Sequence, residues 1–221
     1  MNDNPLATIA DWLDEARALS ARRNPLAMAL STCSAQGRAS VRMVLAKAYC
    51  AGSGHLVFYT HYGSRKSGDL DSTRRAAAVF YWEEFGGRQL RIAGPVTRAG
   101  DAESDAYFAG RPVASQINAW VSEQSRPLDS LATLQRRAAA KAAEFGLDPA
   151  ALADPEPAAI ARPRHWGGYR LWVEEVEFWL EGTGRFHERL HYQRTLSAEL
   201  LRGAEPRANG SETWRLTRLQ P

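Results

Sequence analysis

The sequence predicts an α+β protein that is mainly β, with short antiparallel strands in a barrel or sandwich and helices beside them. Short β-rich runs recur over residues 26–96 and 169–219, and a block of helical segments separates the two stretches. Strands that alternated with helices would instead predict βαβ units and a parallel sheet. A chain of 221 residues can bury one substantial core, so we expect a single domain over residues 1–221.

The first element is a helix at residues 4–20. Asn4 is a good capping residue, Pro5 suits the first helical turn, and apolar residues follow at helical spacing. Five β-rich runs come next, and they are Leu26–Cys33, Ser40–Lys47, His55–Thr60, Ala76–Trp82 and Arg88–Val96. A turn at Gln36-Gly37 joins the first two runs and predicts a hairpin.

A helical block is predicted at 101–146, followed by a proline-rich connector at 147–165. The block contains three segments, Asp101–Gly110, Ser115–Glu123 and Asp129–Phe145. Strands return at Tyr169–Trp179, His187–Arg194 and Thr213–Leu219, with a polar loop at Ser197–Ser211.

Composition narrows the function classes. The net charge is only +3 and the 28 basic residues are scattered along the chain, which argues against a nucleic-acid partner. Cys33 and Cys50 are too few for a disulfide framework and lack metal-ligand spacing, so we expect no metal site and a cytoplasmic location. No uncharged apolar run approaches the ~18 residues of a membrane span, and no signal peptide is evident.

The sequence Gly63-Ser64-Arg65-Lys66 follows a predicted strand and precedes Ser67–Arg75, a segment with helical character. A strand-to-helix turn that carries small residues, two cations and backbone N–H groups suits a phosphate monoester. The alternative is an ordinary basic turn.

A second cationic group lies near the C-terminus. Arg185, His187 and Arg189 stand at two-residue spacing after a glycine-bearing turn. On a β-strand these side chains share one face, where they repel each other unless an anion or solvent lies among them. The pattern favours a surface for a phosphorylated or carboxylated ligand, and the alternative is the solvated edge of a hairpin.

Two further sets of residues are candidates for anion binding. Arg42 and Lys47 are five residues apart on one predicted strand, so they point to opposite faces and serve different anions or different ends of a site. Tyr107 and Arg111 lie one helical turn apart and Ser115 begins the next segment, an arrangement that allows all three to reach one phosphate. The alternative for each set is surface charge.

Amide side chains offer a way to bind a heterocycle. Gln89 follows a glycine turn and Gln124-Ser125 ends a helix, which are positions where amides can pair with a ring's donor and acceptor edge. No Ser-His-Asp order, Walker loop or Gly-x-Gly-x-x-Gly sequence is present, so nucleophilic and nucleoside-triphosphate chemistry are disfavoured.

These motifs occur together and in a characteristic order. They are Arg42–Lys47, Phe58-Tyr59-Thr60, Gly63-Ser64-Arg65-Lys66, Arg111-Pro112, Ser115-Gln116-Ile117, Ala119-Trp120-Val121-Ser122, Gln124-Ser125, His165-Trp166-Gly167-Gly168-Tyr169, Phe178-Trp179, Arg185-x-His187-x-Arg189-x-x-Tyr192 and Trp214 with Arg218-Leu219-Gln220-Pro221. The ordered set resembles the pyridoxine (pyridoxamine) 5′-phosphate oxidase family from about Asn4 to Pro221.

The resemblance implies an FMN-binding split β-barrel, an antiparallel Greek-key-like barrel with flanking helices. It also implies a homodimer with FMN at the subunit interface. By family pattern the FMN contacts are Arg42, Met43, Val44, Leu45, Ala46, Lys47, Tyr59, Thr60, Arg65, Lys66, Gln89, Gln124, Ser125, Trp179 and Arg189. The phosphate of a pyridoxyl substrate matches Lys47, Tyr107, Arg111 and Ser115, and its ring matches Arg185 and His187, which are the candidate catalytic residues.

The implied reaction is the oxidation of pyridoxine 5′-phosphate or pyridoxamine 5′-phosphate to pyridoxal 5′-phosphate by hydride transfer from C4′ to the flavin, with O₂ reduced to H₂O₂. One alternative is a related flavin oxidase of phenazine biosynthesis, which a short N-terminus suits. Another is a non-catalytic binder of FMN or pyridoxal phosphate. The chain departs from the family pattern at Asn24, where an aspartate is common.

Overall fold

The computed structural model describes residues 4–153, 156–197 and 213–221. Within these residues five helices form, and they are α1 (Pro5–Leu19), α2 (Arg65–Thr73), α3 (Asp101–Ala109), α4 (Val113–Val121) and α5 (Leu131–Glu144). Ten strands form as well, and they are β1 (Ala27–Cys33), β2 (Ala39–Leu45), β3 (Ala48–Cys50), β4 (His55–His61), β5 (Arg75–Trp82), β6 (Arg88–Arg98), β7 (Trp166–Trp172), β8 (Glu175–Leu180), β9 (Glu188–Gln193) and β10 (Arg215–Arg218). The predicted mainly-β α+β class is confirmed.

Helix α1 begins where its capping signals predict. The Asn4 side chain accepts a hydrogen bond from the Leu6 N–H at 3.0 Å, and Pro5 occupies the first helical turn. Ile9, Leu13 and Ala16 then share one buried stripe because their spacing matches the helical period.

The strands pair in the order β10-β9-β8-β6-β5-β1-β2, while β3 pairs with β4, and β7 pairs with both β4 and β6. One face of this sheet is apolar and buried. It carries Met28, Leu30, Phe80 and Phe178, and Trp12 of α1 packs edge-on against Phe178 at 5.1 Å between ring centroids. The strict alternation along β1 and β5 sends every second residue to the opposite face.

That opposite face, here called the outer face, is partly open in the single chain. It bears the exposed Val41 and Met43 of β2, and a groove runs across it between Val79, Arg91 and His191. The outer face is therefore apolar on β2 and charged on β6 and β9.

The chain contacts divide the protein into two compact units. Unit 1 comprises Met1–Phe58, Asp69–Thr97 and Tyr169–Pro221, and unit 2 comprises Tyr59–Gly68 and Arg98–Gly168. Unit 2 has a core of its own, built from α3, α4, α5 and the chain leading into β7, with Phe108, Ile117, Ala142, Ile160 and Trp166, the first residue of β7, buried together. The expectation of a single folding domain stays a prediction.

Two predicted strands end earlier than expected because the backbone changes its hydrogen-bonding partner. The run predicted as Tyr169–Trp179 is two strands, since β7 ends at Trp172 and β8 begins at Glu175. Between them Val173 N donates to Gly54 O at 2.8 Å, whereas Glu174 N donates to Ala93 O at 3.1 Å. No glycine or proline marks this break, so a local pattern does not reveal it.

Strand β2 likewise ends at Leu45 and not at Lys47. Ala46 N still donates to Leu26 O at 3.0 Å, but Lys47 N donates to Val57 O at 2.8 Å, so the backbone passes from β1 to β4 at this point. The argument that Arg42 and Lys47 point to opposite faces of one strand is therefore wrong, because Lys47 lies beyond the strand.

The remaining differences are small. The predicted connector contains a short 3₁₀ helix at Pro149–Ala153. The predicted polar loop lies outside the described residues beyond Ser197. Neither Cys33 nor Cys50 forms a disulfide bond within the described residues. In the described parts of the chain, no helix is both long and apolar enough to cross a bilayer.

Candidate functional site

The basic turn of unit 2 forms a polar cradle around a buried lysine. Lys66 is 8% exposed, and its Nζ donates to Gln124 Oε1 at 2.6 Å, Thr60 Oγ1 at 3.0 Å and Ser64 Oγ at 3.3 Å. These three acceptors carry no formal charge, and they orient the ammonium through its hydrogen bonds. Residues from β4, α2 and the segment after α4 thus converge on one cation. Thr60, Lys66 and Gln124 are among the residues for which the family resemblance implies FMN contacts.

The start of α2 strengthens the positive character of this cradle. Ser64 O accepts from the N–H groups of Ser67 and Gly68, which makes Ser64 the residue at the start of the helix. Arg65 N donates to Ser125 Oγ at 3.3 Å, and Ser125 holds a left-handed φ of 74°. A helix N-terminus carries partial positive charge, and non-glycine residues at positive φ are concentrated at functional sites.

An aromatic stack lies on unit 2 and shares β4 with the cradle. Tyr59 is parallel to Tyr107 with 3.9 Å between ring centroids, and parallel to Trp166 at 5.5 Å. Gly168 permits this packing, since a Cβ there would lie 2.9 Å from Tyr59 Cε1. The stack joins β4, α3 and the start of β7.

Arg111 borders the stack and presents a donor that is unsatisfied by the described part of the chain. Its guanidinium carbon lies 4.5 Å from the Trp166 ring centroid, and its Nη1 is buried without a hydrogen-bond partner among the described residues. Burial lowers the pKa of this guanidinium, and the neighbouring Tyr107 opposes the shift. A buried donor without a partner costs free energy that an anionic ligand would recover. Ser115 lies in the first turn of α4, and its N–H donates to Pro112 O at 2.8 Å.

The cradle and the stack face different sides of β4. Tyr59 and Thr60 are consecutive residues of the strand, so their side chains point in opposite directions. Thr60 contacts Lys66, whereas Tyr59 contacts Tyr107. Unit 2 therefore offers two separate cationic sites, one at Lys66 and one at Arg111.

In unit 1 three predicted residues form a row across the outer face. Gln89 of β6 is opposite Trp179 of β8, and Trp179 is opposite Arg189 of β9. Directly opposed residues in antiparallel strands place their side chains on the same face. The structure thus brings together an amide, an indole and a guanidinium that are far apart in sequence.

Arg185 and His187 do not lie on the strand that their spacing predicted. Strand β9 begins only at Glu188, and Arg185 ends a 3₁₀ turn with a left-handed φ of 69° after Gly184 at 63°. The shared strand face inferred for Arg185, His187 and Arg189 is therefore wrong. A period of two requires extended backbone, and the 3₁₀ turn at Thr183–Arg185 replaces that extended backbone.

His187 nevertheless has a defined environment. Its ring lies 4.5 Å from the Trp179 ring, and its Nδ1 accepts a hydrogen bond from Gly182 N at 3.2 Å. In the neutral form the ring therefore carries its proton on Nε2 and can donate it. The turn depends on Gly182, because a Cβ there would lie 1.9 Å from Phe186 O.

The β2 segment places its predicted residues in different surroundings. Arg42 donates to Thr32 Oγ1 at 2.8 Å, to Leu30 O at 3.0 Å and to Ser40 Oγ at 2.7 Å, and Thr32 in turn donates to the buried Asp69 at 2.7 Å. The other predicted residues of this segment range from exposed to buried, and they are Met43, Val44, Leu45, Ala46 and Lys47.

Two residues of these sites, Trp166 and Glu177, could not be assigned a role from the sequence. Trp166 belongs to the motif His165-Trp166-Gly167-Gly168-Tyr169. The glycine pair in this motif is the one sequence feature that indicates close packing of an aromatic ring. Glu177 is a buried carboxylate on the outer face, bound by Arg91 and Arg189 at 2.7 Å each. Only strand register reveals that pairing.

Family models match most of the chain. Residues 13–143 match the model described as pyridoxamine 5′-phosphate oxidase. Residues 166–221 match the model described as the pyridoxine 5′-phosphate oxidase C-terminal dimerisation region. The second match spans β7 to β10 with their connecting turns, and it includes Trp179 on β8, His187 just before β9, and Arg189 on β9.

Curated relatives carry the same family name over almost their full length. A Rhodospirillum rubrum protein named pyridoxine/pyridoxamine 5′-phosphate oxidase is 42% identical over 193 residues, which cover 86% of this chain and 90% of the relative. A protein of the same name from Cereibacter sphaeroides is 38% identical over 219 residues, covering 99% and 96%.

Solved structures confirm the predicted split-barrel fold class. A pyridoxamine 5′-phosphate oxidase-related, FMN binding protein from Nostoc punctiforme superposes with a TM-score of 0.66 at 16% identity, over 97% of this chain and 96% of that one, which shows the fold. PhzG from Burkholderia lata 383, in complex with tetrahydrophenazine-1-carboxylic acid, superposes with a TM-score of 0.80 at 30% identity, over 100% and 94%. From the family models and the curated relatives together, the chain belongs to the pyridoxine/pyridoxamine 5′-phosphate oxidase family, a family of oxidoreductase enzymes.

Proposed function

We propose that the protein is an FMN-dependent oxidase that converts pyridoxine 5′-phosphate or pyridoxamine 5′-phosphate to pyridoxal 5′-phosphate and reduces O₂ to H₂O₂. The observation that carries the proposal is the Arg111 guanidinium, whose buried Nη1 has no hydrogen-bond partner among the described residues. A phosphate dianion supplies both the acceptor and the negative charge that this group needs.

The Lys66 cradle fits the phosphate of FMN. It combines a buried ammonium, the N-terminal end of α2 and the Ser125 hydroxyl, which are groups that recur in phosphate sites. Arg65 adds a second positive charge at the same turn. In unit 1, Gln89, Trp179 and Arg189 offer an amide, a planar ring and a cation to the isoalloxazine. Arg42, whose guanidinium is oriented by Thr32, Leu30 and Ser40, is proposed as a further contact of the same cofactor.

The chain's own groups then position the substrate. When bound, FMN supplies the acceptor for two electrons from the substrate C4′ and passes them to O₂. Arg111, Tyr107 and Ser115 of unit 2 hold the substrate phosphate, and Lys47 is proposed for the same phosphate from the family resemblance alone. His187 donates from Nε2 to a polar edge of the pyridine ring, and Arg185 binds the same ring, so both groups act by orientation.

The phenazine reaction is the second candidate. The PhzG structure, which holds tetrahydrophenazine-1-carboxylic acid, covers this whole chain with a TM-score of 0.80. A guanidinium such as Arg111 also binds a carboxylate, so the residues of unit 2 admit either anion. The distinction lies in charge, because a phosphate monoester carries up to two negative charges and a carboxylate carries one.

A peroxide assay with four substrates tests the proposal. We expect the FMN-loaded protein to oxidise pyridoxine 5′-phosphate and pyridoxamine 5′-phosphate, with a kcat/KM for unphosphorylated pyridoxine lower by about a hundredfold or more, because the phosphate contacts are then missing. A reduced phenazine-1-carboxylate is the fourth substrate. Faster turnover of the phenazine than of both phosphates would replace the vitamin reaction with the phenazine reaction.

We further propose a homodimer formed through the outer face. The matched dimerisation region includes β8, β9 and β10, which are three of the seven strands in the order β10-β9-β8-β6-β5-β1-β2, and Val41 and Met43 of β2 expose apolar surface on the outer face. Exposed apolar surface of this kind marks an interaction site. Since Trp179 and Arg189 lie on the same face, the cofactor site and the interface would be continuous.

Light scattering of the FMN-loaded protein should give about twice the chain mass of 24.4 kDa. Val41→Glu should dissociate the dimer, since it buries an unpaired carboxylate. Leu19→Glu is the matched control, because Leu19 is 68% exposed and Val41 is 67% exposed in the single chain, but Leu19 lies on α1. Equal dimer stability in the two variants would contradict the proposed interface.

A further inference from the structure

Glu177 is the buried anion of the outer face. It lies on β8 and is only 4% exposed, with Arg91 on one neighbouring strand and Arg189 on the other. Arg189 Nε donates to Glu177 Oε1 at 2.7 Å, and Arg91 Nη1 donates to Oε2 at 2.7 Å. Each carboxylate oxygen therefore has its own guanidinium partner.

The carboxylate stays ionised despite its burial. Burial opposes ionisation, but the hydrogen bond from Arg189 and the charges of Arg91 and Arg189 hold the pKa of Glu177 below its usual value. A buried carboxylate is costly unless it is paired, and removal of one partner leaves an uncompensated charge. Glu177 and its two arginines therefore act as one unit.

The contacts fix the plane of the Arg189 guanidinium. Besides the bond from Nε to Glu177, Arg189 Nη1 donates to Gln220 O at 3.1 Å. Two hydrogen bonds from different nitrogens determine the orientation of a rigid planar group. The direction in which the remaining N–H groups of Arg189 point is therefore also fixed.

Arg189 is also the end of the row that contains Trp179. Trp179 is opposite Arg189 and two residues beyond Glu177 on the same strand, so all three side chains lie on the outer face. Trp179 in turn contacts the His187 ring at 4.5 Å. A shift of Arg189 would therefore reach the residues that surround the proposed flavin ring.

We infer that Glu177 is a positioning residue, which holds Arg189 in the orientation that binds the flavin. The inference rests on the proposed FMN function and adds a residue that does not itself touch the cofactor. Glu177 acts on the flavin through Arg189, and Arg91 adds a second positive charge that stabilises the buried carboxylate.

Strand β8 offers a matched control in Glu175. It lies two residues before Glu177 on the same face, and its carboxylate is 3.6 Å from His191 Nε2. Glu175 contacts neither Arg189 nor Trp179 in the described hydrogen bonds and ring contacts. Glu175→Gln therefore removes one carboxylate from the same strand and face without touching the Arg189 contact.

The experiment compares Glu177→Gln with Glu175→Gln in the FMN-loaded protein. FMN release after dilution is followed by the rise of free-flavin fluorescence, and the bound flavin is recorded by its visible absorption. We expect Glu177→Gln to weaken FMN binding about tenfold or more and to shift the flavin band. Glu175→Gln should stay within about twofold of the wild type.

A double-mutant cycle separates positioning from general destabilisation. If Glu177 acts through Arg189, the double variant Glu177→Gln, Arg189→Gln should bind FMN no more weakly than Arg189→Gln alone. Additive losses would overturn the inference, and so would wild-type FMN retention in Glu177→Gln. If Glu177→Gln does not fold, Glu177→Asp is the second variant, because it keeps the charge but shortens the side chain. Unchanged FMN binding in Glu177→Asp would also overturn the inference. A wild type that binds no FMN would instead overturn the proposed function.

Discussion

Replacing Arg111 with alanine should raise the KM for pyridoxine 5′-phosphate about 30- to 1000-fold, while the FMN content stays at the wild-type level. The range corresponds to about 2–4 kcal/mol, the expected loss when a phosphate dianion loses a charge-assisted partner in a partly buried site. Among the described residues the buried Nη1 has no hydrogen-bond partner, and the guanidinium is held against Trp166, which supports an anion site at this position. Little reorganisation is needed on binding, so most of the interaction is lost on truncation.

Steady-state peroxide formation at varied substrate concentration measures this KM. Arg136→Ala is the matched control, since Arg136 lies exposed on α5 of the same unit and donates to Thr133 at 3.1 Å. Its KM should equal that of the wild type. Equal KM values for the Arg111 and Arg136 variants would remove Arg111 from the phosphate site and with it the main support for a phosphorylated substrate.

Replacing Lys66 with methionine should weaken FMN binding about a hundredfold or more. Methionine keeps the aliphatic part of the side chain but removes the ammonium that meets Gln124, Thr60 and Ser64. Two losses combine, because the flavin phosphate loses a cation and three oxygen acceptors lose their common donor. The purified variant should be nearly colourless unless FMN is added in excess.

Titration with FMN, followed by quenching of flavin fluorescence, gives the affinity of the Lys66 variant. Lys141→Met is its control, because Lys141 pairs with Glu144 on α5 and lies over the Trp120 ring, and neither partner is one of the groups that bind the Lys66 ammonium. That variant should retain the wild-type affinity. An unchanged affinity in Lys66→Met would move the cofactor phosphate elsewhere.

The two predictions are separable because β4 divides the sites. Tyr59 and Thr60 point to opposite sides of the strand, so the Arg111 site and the Lys66 cradle share a strand and no side chain. Arg111→Ala should affect KM alone, and Lys66→Met should affect flavin content first. A single variant that disturbed both quantities equally would indicate a folding defect.

Several site residues were predictable because their chemistry is local. The cation turn at residues 63–66 combines small residues, two charges and a helix start within a few positions, and the structure places Lys66 and Arg65 at that helix start. Asn4 and Pro5 likewise start α1 by contacts within one turn. Interactions of this range depend only on residues that the sequence prints side by side.

Other parts of the site were predicted incorrectly or not assigned. The period of two placed Arg185 and His187 on a strand, but two consecutive left-handed residues turn the chain there and β9 begins only at Glu188. Trp166 had no assigned role until the structure showed it parallel to Tyr59 and against Arg111. In both cases the deciding contacts come from residues that are distant in sequence.

The sequence by itself determined the mainly-β class, the capped first helix, the three-helix block and, through the order of its motifs, the family. Each of these follows from short-range backbone preferences or from residue identity. Only the tertiary structure decided which charges meet. Lys66 meets Gln124 across 58 positions, and Glu177 meets Arg91 across 86, because strand register and chain reversals place them together. Register is set by how a whole sheet buries its apolar face, and that is a property of all its strands at once.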